Sequence, residues 1–116
     1  MLLPNVDKSS RIFKGEKMKL PESVRVAGHT YKVEIDNKGL CKENLSGDAW
    51  HSHLVIRLAD EDINGDKVAE TSVEDTFIHE VLHCVDVQYN NGVLPEDQVR
   101  RLATGLHQVI KDLGWL

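Results

Sequence analysis

The sequence predicts an α+β domain, in which a small antiparallel or mixed sheet of about three strands is followed by two helices. Three observations predict it. Apolar and polar residues alternate between Val24 and Ile35, the period of a half-buried strand. A second run, "WHSHLVIRLA", is rich in β-branched residues towards its end. From Thr71 the period becomes that of a helix and, with one interruption, keeps it to Leu113.

Taken in chain order, the first 17 residues stand apart. They are interrupted by Pro4, Asp7, Lys8 and Arg11 and contain no apolar run long enough for a signal peptide or a membrane span. Lys14-Gly15-Glu16-Lys17 can be encoded by a purine-rich run holding a bacterial ribosome-binding sequence, so Met18 is the expected natural start. Residues 1–17 are then a flexible extension and residues 18–116 one domain, a length that buries a single core without disulfide staples. Cys41 and Cys84 are far apart and form no CxxC pair, which fits a reducing, cytoplasmic setting. A net charge of -5 with no Lys/Arg cluster argues against nucleic acid as a partner.

Val24 and Val26, then Tyr31, Val33 and Ile35, alternate on either side of Gly28-His29 and read as a β-hairpin. Residues 36–49, with Asn37, Gly39, Asn44 and Gly47, read as loop. Residues 50–59 read as the third strand, on which His51 and His53 share one face; they could form a second metal pair or contact a substrate, but the ordinary reading of that face is a solvated one. "DEDINGDKVAE" returns to loop. Thr71 and Glu74 have capping-box spacing, with Asp75 adding charge to the first turn. The helix should run to Asn90 and stop at Asn91-Gly92 in a left-handed cap. Pro95 is suited to the first position of a second helix, whose apolar stripe Val99, Ala103, Leu106 and Ile110 should pack on the first.

Within the first helix stands "TFIHEVLHCVD". At about 100° per residue, His79 and His83 share one face, with Asp75 and Asp86 close to the same line. Apolar residues flank that strip on both sides: Val73, Phe77, Val81 and Cys84, then Ile78, Leu82, Val85 and Tyr89. The expected result is a helix buried between layers, with the polar strip in a seam. Histidines at this spacing can both reach one ion, and Glu80 lies beside them where a carboxylate can accept a proton from a metal-activated water. A catalytic zinc site wants a third protein ligand. Glu96, at the start of the second helix, is the better candidate; Asp86 is the other, or else a partner supporting a ligand histidine. His107 lies about 16 Å along its helix from Glu96, too far for the same ion, and Cys84 faces the core. The HExxHxxGxxH pattern is absent, which excludes a three-histidine site of that type.

"TFIHEVLHCVD" followed by "LPEDQVRRLATGLHQVI", residues 76 to 110, resembles the small zincin-like metallopeptidases of the ImmA/IrrE type and their short phage- and prophage-encoded relatives. The resemblance implies a minimal zincin-like fold, zinc held by His79, His83 and Glu96, and Glu80 as the catalytic base. It further implies hydrolysis of a protein or peptide substrate, of which a regulatory protein is one kind. Two other readings stand beside it: a protein that keeps fold and metal but acts by binding a partner without proteolysis, and a metal-free structural domain.

Overall fold

A computed structural model describes residues 20–116; the expectations for residues 1–17 and for Met18 lie outside that range. Strands β1 (Ser23–Val26) and β2 (His29–Ile35) form the expected antiparallel hairpin. Its turn is Ala27–Gly28, both left-handed at φ 53° and 81°, the pair of positive values that a two-residue hairpin turn requires.

The next segment departs from the expected loop. Residues Asn37–Lys42 form a short helix, α1, capped by Asp36, whose Oδ1 accepts the Gly39 N–H at 3.0 Å. Only Leu40 of this helix is buried, so it has too few turns and too few apolar residues to show a period. Gly47–Trp50 then form β3 and Val55–Leu58 form β4. The sheet thus has four strands, not three, in the order β1-β2-β4-β3, with β2 and β4 parallel and the other two pairs antiparallel.

The single strand expected over residues 50–59 is broken by a turn at residues 51–54, with Leu54 left-handed at φ 58°. His51 and His53 therefore sit in a turn and not on a strand face. The β-branched residues begin only at Val55, where β4 begins.

Helix α2 (Glu70–Asn90) starts one residue before Thr71, and the capping box is not formed: its N-cap is Ala69, with no side-chain cap. Glu74 is instead buried, accepting from His107 Nε2 at 2.9 Å and from Lys111 Nζ at 3.1 Å. The far end follows expectation, with Asn91 at φ 59° and Gly92 at φ 64°. Pro95, extended at φ -64° and ψ 149°, caps helix α3 (Glu96–Asp112) and does not open it.

Asp86 closes the turn between the helices. Its buried carboxylate accepts the Leu94 N–H at 3.2 Å and Asn90 Nδ2 at 3.0 Å. It touches neither histidine, so its expected role as ligand or ligand support is not the one it fills.

The core lies between the sheet and α2, where Tyr31, Ile56 and Leu58 meet Val73, Phe77 and Cys84. Helix α3 packs on α2 from the side and buries Val99 and Ala103. Three expected burials do not occur: on α2, Val85 and Tyr89 are 41% and 68% exposed, and on α3, Leu106 is 44% exposed. The second flank of α2 is covered only over its first half, where Ile78 is buried and Leu82 half-buried, and opens to solvent at Val85 and Tyr89. Among the described residues no helix is long and apolar enough to cross a membrane.

Candidate metal centre

His79 and His83 are one turn apart on α2, and the turn held by Asp86 brings the first residue of α3 back over them. Glu96 Oε2 lies 2.8 Å from His79 Nε2, Glu96 Oε1 2.8 Å from His83 Nε2, and the two Nε2 atoms are 3.1 Å apart. The chemistry of this donor set fits a cation. Three groups whose lone pairs all point inward are held within 4.8 Å of one another, and a neutral imidazole has one proton to place on two nitrogens. Without a cation each Nε2–H can donate to one Glu96 oxygen, but the two nitrogens are then donors 3.1 Å apart with no acceptor between them. Two imidazoles and a carboxylate are the three protein ligands of a catalytic zinc site.

Glu80 stands beside this group at 6% exposure. Burial pushes its carboxyl up to about 8, with the charges of Asp48 and Glu96 adding to the effect. It lines a cleft of about 410 Å³ together with His83, Glu96, His51, Leu45 and the strand β3 residues Gly47, Asp48 and Ala49.

The sheet side of this cleft was not legible in the sequence. Asp48 is gripped by Arg57, Nε to Oδ1 at 2.9 Å and Nη2 to Oδ2 at 2.6 Å, while Nη1 reaches Asp36 at 2.9 Å. This bidentate pairing holds the Asp48 carboxyl below the usual carboxylate range. The Trp50 indole donates to Asp48 Oδ2 at 3.0 Å, and the Arg57 guanidinium lies 4.9 Å from the Trp50 ring.

His51 reaches the cleft from the β3–β4 turn, where a solvated strand face was expected. Its Nδ1 is 3.1 Å from the Tyr31 hydroxyl, which accepts Gln88 Nε2 at 2.9 Å. Burial, with His83 nearby, lowers its pKa, so its neutral form is favoured. Its arrival depends on pairing between strands distant in sequence, and no local spacing signals it.

The remaining candidates lie elsewhere. His53 is exposed and contacts Ser52 and the edge of Trp50. His107 is engaged by Glu74, and Cys84 is fully buried in the core, which pushes its thiol up to about 11. Both cysteines are free. No protein-family model matches the chain, and neither a curated protein nor a solved structure matches it.

Proposed function

We propose that the chain is a zinc-dependent endopeptidase of the cytoplasm, acting on a protein or peptide substrate. The observation that carries this reading is the convergence of His79, His83 and Glu96 within 4.8 Å at the mouth of a cleft that Glu80 also lines. His79, His83 and Glu96 would hold the Zn2+. Bound there, the ion supplies Lewis acidity, lowering the pKa of a water towards about 7 and polarising a carbonyl.

Glu80 takes a proton from the attacking water and later delivers it to the leaving amine. The burial that raises its basicity suits both transfers. His51, steadied by Tyr31 and Gln88, lies where it can support the carbonyl oxygen as charge develops on it. An extended peptide can add to the sheet alongside the cleft. Among the described residues β3 is the edge strand there, whereas β4 is paired on both sides.

The test has two parts, both on purified protein. Elemental analysis after dialysis should find about one zinc per chain, and a quenched-fluorescence peptide library should be cleaved by wild type and not by Glu80→Gln. Zinc uptake without any cleavage supports a protein that binds partners; failure to take up zinc on titration removes the metal reading altogether.

A further inference from the structure

Helix α3 carries two apolar stripes, and the domain uses only one. Val99, Ala103 and Ile110 turn inward, the first two fully buried and the third partly so. Val99, Leu102, Leu106, Val109 and Leu113 follow a second course, spaced alternately three and four residues apart. That spacing is the heptad repeat of a helix whose seam faces another helix. Of these five, the last four are 51%, 44%, 48% and 55% exposed. Half of four aliphatic side chains is roughly 300–400 Å² of apolar surface in one strip, within the range of the largest patch on an ordinary monomer, which is often a functional one.

Gly105 lies beside the strip in mid-helix. Glycine there costs about 1 kcal/mol relative to alanine, and no heavy atom lies within 4 Å of the place a Cβ would take. Among the described residues nothing needs the missing side chain. A second backbone approaching from outside would.

The flanking charges name the occupant. Arg101 and Asp112 stand three turns apart on the same edge of the strip, near its two ends. A second α3 laid antiparallel, with Leu106 over Val109 about a two-fold axis, brings each Arg101 to within about 3 Å, measured along the helix, of the other chain's Asp112 on the same side of the seam. A parallel arrangement would put the two copies of this edge on opposite sides of the seam, so that neither Arg101 nor Asp112 met the other chain's partner. Within one chain Arg101 pairs only with Asp97, at 2.9 Å and with both side chains more than half exposed, a pairing weak enough to exchange.

We propose that the outer strip of α3 is the interface of a symmetric dimer. A second copy of this chain packs antiparallel on Leu102, Leu106, Val109 and Leu113, closed at both ends by reciprocal Arg101–Asp112 ion pairs. Such an isologous contact buries the same strip twice, and the neighbouring Trp115, 67% exposed, extends it.

Sedimentation velocity on the full chain across the micromolar range tests this. Wild type should sediment as a dimer, and Leu106→Glu as a monomer with an unchanged helical circular dichroism spectrum. Arg101→Asp and Asp112→Arg should each weaken association by about ten-fold, and an equimolar mixture of the two should recover it, since in the mixed dimer every contact is again between opposite charges. Should Leu106→Glu fail to fold, the mixing experiment decides alone. A monomeric wild type, a dimer indifferent to Leu106→Glu, or two charge variants that do not rescue one another would each overturn the proposal. So would a chain beginning at Met18 that dimerises when the full chain does not, since the strip would then be covered by residues 1–17.

Discussion

The helical hairpin and the sheet build opposite walls of the same cleft by different means. Every donor in the His79, His83 and Glu96 cluster comes from one continuous stretch of α2, turn and α3, positioned by helical spacing and by the cap that Asp86 holds. On the facing wall, Gly47, Asp48, Ala49 and His51 arrive through β3 and its turn, and their placement depends on pairing with β4 and on Tyr31 from β2. The difference teaches that, under the function proposed above, holding a metal would be a local property of sequence, whereas what surrounds a reacting carbonyl would be a property of the assembled sheet. Substitutions on the two walls should therefore separate metal affinity from turnover.

The largest effect belongs to the helical wall. Glu96→Ala or His79→Ala should reduce zinc affinity by more than about 100-fold, beyond what loss of a supporting residue costs, as measured by competition with a chromogenic chelator. Asp86→Ala should instead lower stability by about 1–3 kcal/mol, because it leaves the Leu94 amide without its buried acceptor, while the zinc site keeps its ligands. Zinc lost with Asp86→Ala and kept with Glu96→Ala would reverse the assignment.

Next comes Glu80→Gln, on α2 but lining the cleft. Peptide hydrolysis should fall by about 10²- to 10⁴-fold with zinc affinity near that of wild type. Equal loss of both would make Glu80 a ligand and not a proton carrier.

On the sheet wall, His51→Ala should lower kcat by about 10²-fold, and Tyr31→Phe by less, since the ring stays packed while the hydroxyl on Nδ1 is lost. Neither should shift zinc affinity. A shift as large as that of His79→Ala would show that the two walls are not separable.

The smallest effect is one of pH. The Gly39 amide, with Arg57, holds Asp36 below the ordinary carboxylate range, and Arg57 holds Asp48 there. A folded pKa depressed below the unfolded one contributes stability that is complete above the unfolded value and lost as pH falls through the folded value, so the loss begins below about pH 4. Arg57→Leu should lower Tm by a few degrees at neutral pH and flatten the fall of Tm on acidification. Parallel acid profiles for the two proteins would remove Arg57 from the account.

What the sequence made legible follows the same division. A helix announces itself by a period sustained over many residues, and so α2, α3, the Asn91-Gly92 stop and the meeting of His79, His83 and Glu96 could all be anticipated. The hairpin β1–β2 was legible for a similar reason. Helix α1 and strand β3 were not: the one shows a single buried residue, and the other, "GDAW", holds three half-buried residues in no alternating pattern. Thr71 shows the converse error, a local signal overruled by a distant one, since Glu74 is drawn into the interior by His107 and Lys111 from the other end of the chain.

The parallel pairing of β2 with β4 bears on how fast the molecule can assemble. β1 with β2, β3 with β4, and α2 with α3 are each neighbours along the chain and can form in any order at small entropic cost. The seam from Lys32↔Val55 to Ile35↔Leu58 is different, because the whole of α1 and β3 must first be looped back. That seam is the natural rate-limiting closure. Trimming a methyl from Ile56, at its centre, should slow refolding, whereas the same change at Ile78 on α2 should chiefly hasten unfolding, a contrast that stopped-flow chevrons would register.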